Sequence, residues 1–558
     1  IAAGPWCFAG REDFFPDFET RFAFAPEPFA DRQCQACAIR EAEALATSLI
    51  PRLAEKLCPE SRLPAAYWET LLAPFAINSA RLIVEVWYRI KAVAKTYGEE
   101  ELTVPLAPRK CPCVMESDRD IVLRGALNPN CLHWLFSRLL EPVLPERWHA
   151  EPYGHDAAAD TENNGGDAFP DAGEKESRLK AWLRSLCLSL PVPPLQGISL
   201  RQSLSWSLAL LHASRLPDRT LELAGAFGSS GQEATCLPFD VLDLVLELVP
   251  QTLLHMKHPQ KVTQMKQPKV RMAIISMYED AAYRQKLAIW RAKGGRLISM
   301  QHGGNYGMMT LTCAAEYVEY SQHAFITWGW TEYQSVHSSL PGRNFVPLPA
   351  PKLARISNAW KKGGTSVLFV GTEIASYAYQ LDSHPTPLEY LAYRAEKDAF
   401  LRNLDREVRN HILYRPYFPT PGAMDDAAWI LARYPHMHLC SGDLLPKLLS
   451  CRLLLMDHHG TVLLEAMAAN VPTVCFWNPA HWPLSEAFSS MLPILEDAGI
   501  WHADPCRAAA HIQNIWPSPE KWWLSDRVQQ ARSSFLSTFA LCNANDLNRR
   551  WIKALRSL

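Results

Sequence analysis

No stretch of the 558-residue chain holds the roughly 18–20 uninterrupted apolar residues of a membrane-spanning helix. Neither sign of charge is in excess: 56 Lys and Arg stand against 58 Asp and Glu, a formal net charge of −2. There is no long basic run, so nucleic acid is not an expected partner, because phosphate-backbone binding needs a basic face. Several common signatures are missing: the Walker loop, HExxH, the EF-hand loop and the G-x-S-x-G elbow. The chain opens Ile1-Ala2-Ala3-Gly4-Pro5-Trp6-Cys7, without Met and without a basic segment ahead of an apolar one, and reads as trimmed. Its 15 cysteines are odd in number and scattered, many in apolar segments such as those of Cys187, Cys313 and Cys475. That pattern suits a reducing cytosol better than a disulfide framework. Cys34, Cys37, Cys111 and Cys113 could give four thiolates to zinc, but no ribbon pattern surrounds them and no metal site is expected.

What is present is ordinary globular composition, 48% hydrophobic and 20% charged, at a length that implies two or three domains. Helical patterns run over residues 36–56, 61–100 and 131–140, with Trp68, Leu71, Leu72 and Phe75 at core spacing. Residues 149–177 are polar, acidic and Gly-bearing and read as a mobile surface loop. A helix is expected over residues 236–258. From Met272 the pattern alternates: strand 272–276, helix 280–293, strand 296–300, strand 324–327. After four prolines in residues 340–355, read as a linker, strands follow at 366–370, 412–414 and 438–439. The end of the chain, from residue 508, is helical and Trp-rich; it could dock on a membrane surface or a second copy, but packing back on the N-terminal domain is favoured. Strands alternating with helices of this length imply parallel, doubly wound sheets.

One stretch organises the second set of strands. Residues 452–456 are an apolar strand, and Asp457-His458-His459-Gly460-Thr461 is a polar elbow. Thr461–Ala469 has helical composition, Asn470 and Pro472 end it, and 473–477 is the next strand. A helix starting at the C-terminal end of a parallel strand aims free N–H groups and a positive dipole end at its surroundings, which suits a phosphate. Glu465, one turn in, is placed to meet a ribose. The alternative is one more β–α–β unit without a ligand.

Other candidates also stand at strand ends, where ligands gather in open sheets. Gln301-His302-Gly303-Gly304-Asn305-Tyr306-Gly307 puts polar residues and three glycines directly after a strand. It is either a binding loop or a tight turn with a packed histidine, and it lacks the dinucleotide-fingerprint spacing. Glu279 and Asp280 close the preceding strand. They could supply a base or nucleophile, or merely favour a helix start. Glu316 and Glu319 share one face if helical, as a functional pair or a solvated face. Arg415 and Ser441-Gly442 follow further strands, and Arg415 with the Thr461 helix could clamp a phosphate.

At these residues the chain resembles the LIC12162-type transferases of bacterial surface-polysaccharide loci. The resemblance rests on Gly4–Cys7, Tyr67–Pro74, Gln301–Gly307, Glu316 and Glu319 ahead of Thr327–Trp330, Thr461–Trp477, Gly499–His502 and the Trp522-Trp523 pair. One departure, Ala73-Pro74-Phe75 where Gly-Pro-Trp is usual, bears on packing. The Gln301 loop and the Thr461 helix are also similar to bacterial Kdo transferases, which use CMP-activated 3-deoxy-ulosonic acids.

The resemblance implies an α/β GT-B fold: two Rossmann-like domains with parallel sheets facing a central cleft, helical N-terminal additions and a C-terminal helical tail. The implied units are an acceptor-side domain at 1–345, a nucleotide-sugar domain at 346–535 and a helix packing back at 536–558. It implies a metal-independent glycosyltransferase with no cofactor beyond its nucleotide-sugar donor, acting on a glycan or lipid-linked glycan acceptor. It would work in the cytoplasm, at or near the inner face of the cytoplasmic membrane. Expected catalytic residues are Asp280, Glu279, His302 and Glu316; Gln301, Gly303, Gly304, Tyr306 and Glu319 would bind substrate. Arg415, Ser441, Asp457, His458, His459, Gly460, Thr461 and Glu465 would bind nucleotide. Other readings are an NDP-sugar donor, a sugar-nucleotide epimerase of the same fold, or a non-catalytic binding subunit.

Overall fold

The computed structural model describes residues 8, 15–22, 24–118, 120–126, 128–153, 189–194, 197–212, 218–228, 237–265, 269–273, 281–335, 343–372, 381–382, 384–386, 389–416 and 425–558. Two long helices, Arg32–Leu57 and Ala65–Tyr97, pack along one another near the N-terminus. The second is buried on all sides from Leu71 to Ile90, which marks a central core helix rather than a surface one. Its charged residues inside that core are paired. Arg89 donates to both carboxylate oxygens of Glu27, at 3.0 and 3.1 Å, and also contacts Glu85.

Strand β1 (Leu102–Leu106) pairs in parallel with β2 (Trp148–Pro152). Residues 149–152, expected to open a mobile loop, are therefore strand; residues 154–177 lie outside the described residues. The helix expected over 236–258 is two short pieces, Leu242–Glu247 and Gln251–Leu254. Pro250 stands between them, where its ring and missing N–H end one helix and begin the next.

A four-stranded, all-parallel sheet comes next in the chain, in the order β3 (Val270–Met272), β4 (Arg296–Met300), β5 (Ala324–Thr327), β6 (Phe345–Pro347). β6 falls within the proline-rich stretch expected to be a linker. It is an edge strand, where Pro347 costs no ladder bond on its open side. The second sheet is six-stranded and also parallel. Its strands are β7 (Val367–Val370), β8 (Ile412–Arg415), β9 (His438–Leu439), β10 (Leu453–Met456), β11 (Thr473–Phe476) and β12 (Trp501–His502), in the spatial order β12-β11-β10-β7-β8-β9. Every residue of β7, β10 and β11 is buried, as the continuous apolar runs require of strands covered on both faces. The α/β class with two parallel sheets is thus the one expected.

The strand order decides which loops become neighbours. β10 lies between β7 and β11, and Cys475, Met456, Val370 and Arg415 stand in one rung across four strands. The chain leaves β10, β7 and β8 at this level, into Asp457, Gly371 and Pro416, and leaves β11 one residue later, into Trp477. The tail is core rather than surface. Trp523 and Trp551 are fully buried. Trp551 stacks on Trp206 with ring centroids 4.2 Å apart and planes 3° from parallel, and its indole N–H donates to Pro349 O at 2.9 Å. The helix Leu547–Arg556 is thereby laid on the helix Leu200–Leu211, against residues of β3, β4 and β5.

Candidate functional site

The C-terminal ends of β4 and β10 meet. Thr461–Ala469 is a nine-residue helix with Gly460 as its N-cap, and no side chain of its own caps it. Its first N–H groups therefore point out of the helix without intrahelical acceptors. Asn470 ends it in the left-handed region, at φ 65°, a conformation Asn tolerates better than most residues. The loop after β4 comes directly onto this helix start. Gly304 N–H donates to Thr461 Oγ1 at 2.8 Å. A Cβ on Gly304 would stand 2.6 Å from Gly460 C and from Thr461 N, and one on Gly303 would stand 3.1 Å from Thr461 Oγ1. Gly304 is thus required by close approach and Gly303 sits in tight contact, and at this point the two halves touch rather than face each other across open space.

The same seam continues past the loop. Thr310 N–H and Oγ1 both reach Pro483 O, at 2.8 and 3.1 Å. Ser485 N–H donates to Met308 O and its hydroxyl to Gly307 O, each at 2.8 Å.

Gln301 is fully buried, and its side chain is spent on the fold. Its amide N donates to Gly303 O, and its Oε1 accepts from Trp328 N–H and Trp330 Nε1, all at 2.9 Å. It fastens the Trp328–Trp330 turn under the glycine loop, so the expected substrate contact is corrected to a structural one. His302 is the accessible member, with its side chain 29% exposed. Its Nε2 lies 3.1 Å from Glu319 Oε1 and 2.7 Å from Tyr306 Oη. Imidazole, carboxylate and phenol so close together form an acid–base cluster two residues from Gly304, at most about 7 Å of chain.

Glu316 and Glu319 do share a helical turn, Ala315–Glu319, but both are buried, not solvated. Glu316 accepts from Arg343 at 2.5 Å, from Tyr333 at 3.0 Å and from Ser335. Each of its oxygens is occupied, so its expected catalytic role is corrected to a buried ion pair. Glu279 and Asp280 lie outside the described residues.

On the other side of the seam, Asp457 belongs to a buried charge network. Lys397, fully buried, lies 3.1 Å from Asp457 Oδ2 and 2.7 Å from Asp426 Oδ2, and donates to Thr372 O at 2.9 Å. Arg394 adds a second cation, 3.0 Å from Asp426. Burial works against the charge on Lys397, but Asp426 and Asp457 hold its ammonium well above the ordinary lysine range. Burial likewise opposes the charge on Asp457, but Lys397 and His458 hold its carboxyl below the ordinary aspartate value. Asp457 Oδ1 also accepts from Thr372 N–H, at 2.8 Å. Its expected nucleotide contact is therefore corrected: it ties β7 and β10 together and orients His458, whose Nδ1 is 3.0 Å away. The far edge of the His458 ring, Cδ2 and Nε2, is 2.8 Å from where a Gly460 Cβ would be. His458 is held over the helix start.

His459 is fully buried against Trp482, Trp477 and Phe488, at centroid distances of 4.5, 5.5 and 5.3 Å. Burial pushes its pKa down to about 3. It is a neutral core histidine rather than the expected nucleotide contact. Glu465 pairs with Lys352 at 2.6 Å. Arg415 is two strands from Met456, roughly 10 Å, and its guanidinium donates to Cys440 O and Gly442 O at 3.1 and 2.9 Å. It braces the loop after β9, where Ser441 is exposed, and the structure does not bring either residue to the Thr461 helix.

Sequence reasoning missed Lys397, Asp426, Arg394 and Thr372. Lys397 left one trace: in its helix, Tyr390–Asn403, it shares a stripe with Tyr393, Phe400, Leu401 and Leu404, where an apolar residue belongs. Among the described residues, no three His, Cys, Asp or Glu side chains are grouped to hold a metal, the Cys34, Cys37, Cys111 and Cys113 set included.

No curated protein matches the chain. Among solved structures it is similar to the wall teichoic acid polymerase TagF, with 12% identity over 50% of this chain and 75% of that one, at a TM-score of 0.31. It is also similar to WaaG, a glycosyltransferase involved in lipopolysaccharide biosynthesis, with 17% identity over 50% and 68% of the two chains and a TM-score of 0.24. Likenesses so distant carry no residue roles over. The family model of the LIC12162 family transferases, by contrast, matches residues 1–555, and the chain belongs to that transferase family.

Proposed function

We propose that this transferase is a GT-B glycosyltransferase of bacterial surface-polysaccharide assembly, moving a sugar from a nucleotide donor to a glycan or lipid-linked glycan acceptor. The proposed donor is a CMP-activated 3-deoxy-ulosonic acid such as Kdo, and the proposed place of action is the cytoplasmic side of the membrane. One observation carries the reading. The start of the Thr461 helix, without a cap of its own, lies against a glycine loop preceded by the accessible His302, which contacts Tyr306 and the buried Glu319. Anion-binding and acid–base groups are thereby set side by side at the ends of two parallel sheets.

In this reading the helix start, with Thr461 and His458, receives the leaving phosphate. Preorganised N–H donors stabilise the charge that develops there as the glycosyl bond breaks. Departure of the nucleotide leaves an oxocarbenium-like sugar. The His302 cluster orients the acceptor hydroxyl, and a carboxylate from Glu279 or Asp280, in the chain just beyond β3, takes its proton. Lys397 and Asp457 act at one remove, by fixing His458.

The test is a panel of CMP- and UDP-sugars incubated with the full chain while free nucleotide is measured. A CMP-ulosonate donor releases CMP slowly alone and faster with acceptor, and a chelator leaves that release unchanged. Release of UDP instead would move the donor class. Release of a modified sugar without acceptor dependence would mark an epimerase, and no release from any donor would mark a binding subunit.

A further inference from the structure

The helix Leu200–Leu211 carries a face that the core does not use. Leu200, Leu204, Leu208 and Leu211 are 53, 50, 60 and 60% exposed. At about 100° per residue they fall within one arc of roughly 80°. Exposed leucines scattered singly are normal, but four aligned on one twelve-residue helix are not. The helix does not need those leucines covered to form. Ser199 and Gln202 make a reciprocal capping box at its start, and Trp206, Ala209 and Leu210 bury its other face.

The neighbouring helix, Leu547–Arg556, is one-sided as well. It buries Leu547, Trp551 and Leu555 and turns Arg549, Lys553 and Arg556 outward. No acid lies within it. The Trp206–Trp551 stack and a 3.5 Å Gln202–Asn548 contact hold the two helices side by side over the sheet. An apolar ridge and a cationic flank are therefore both exposed, on adjacent helices that share one core.

We infer that this two-helix face docks on an anionic phospholipid surface. Leucines enter the headgroup boundary, while Lys and Arg meet lipid phosphates beside them; that pairing is what interfacial helices use. A second copy of the chain fits less well. A two-fold contact through the leucines gives the cationic flank no anionic partner, because a copy of the same helix carries no acid. The inference does not rest on glycosyl transfer: a chain that bound vesicles and transferred nothing would leave it intact.

The test is co-sedimentation of the full chain with vesicles of phosphatidylcholine alone and of phosphatidylcholine mixed with phosphatidylglycerol. Binding is expected on the anionic vesicles only and weakens as salt is raised. Arg549→Glu with Lys553→Glu should lower it about twenty-fold or more. Leu204→Ser with Leu208→Ser should lower it about tenfold or more, with an unchanged circular dichroism spectrum. Absence of binding, equal binding to neutral vesicles, or parent-like binding by both variants would overturn the inference. So would a leucine variant that turns a dimer into a monomer in light scattering while vesicle binding stays the same.

Discussion

Gly304→Ala is the sharpest perturbation of the seam. The added methyl would stand 2.6 Å from two backbone atoms, Gly460 C and Thr461 N, and 3.0 Å from Thr461 Cα. Backbone cannot swing aside as a side chain can, so the loop and helix start must part. Overpacking of this kind costs about 1–3 kcal/mol. Parting also loses the Gly304 N–H to Thr461 Oγ1 bond, about 0.5–1.5 kcal/mol. The expected loss is roughly 1.5–4.5 kcal/mol in the unfolding transition that reports on the seam. Urea titration followed by tryptophan fluorescence measures it, with Gly225→Ala as the control. Nothing lies within 4 Å of a Cβ on Gly225, and that residue is inside the short helix Leu223–Phe227, so the control should be neutral or stabilising by about 0.5–1 kcal/mol. Gly303→Ala should fall between them, because its methyl meets only the Thr461 hydroxyl, at 3.1 Å. If Gly304→Ala unfolds with the parent's midpoint, the loop does not rest on the helix and the account of the site fails.

Two further substitutions separate structural from chemical roles. Glu316→Ala leaves Arg343 buried without its carboxylate, a loss of about 3–5 kcal/mol; an inactive variant with a parent-like melting temperature would return Glu316 to the catalytic candidates. His459→Phe should be tolerated, since neither ring nitrogen has a hydrogen-bond partner among the described residues and the ring lies in an aromatic cluster. The native ring takes a proton only near pH 3, whereas the unfolded one does so near 6.5, so the parent loses stability as pH falls from 6.5 toward 3. The variant should lose less over that window, and parallel pH–stability curves would show that His459 is not buried neutral.

The elements were readable because their signals are local. Arg296–Met300, Ala324–Thr327 and Thr461–Ala469 fall where apolar runs, polar elbows and the Asn470 stop place them. The roles of the polar residues were not, because burial and partners are set by distant chain. Glu316 meets Arg343 across 27 residues, and Asp457 meets Lys397 on a helix that precedes β8. A carboxylate at a strand end looks the same in sequence whether it faces a ligand or a buried lysine. Gln301 misleads for a related reason. A strand-end glutamine beside glycines suits a ligand, and it equally suits three main-chain and indole partners of its own.

The seam at Gly304, Thr310 and Ser485 also sets how often the two halves separate. Five hydrogen bonds cross it in that stretch. At about 1 kcal/mol each, these bonds alone hold the parted form to at most roughly one molecule in several thousand. A ligand that needs the parted form binds more weakly by that same fraction, whereas one that fits beside the closed seam carries no such handicap. Selection among ligands would then begin before any contact with a base or a sugar, in how much room each one demands.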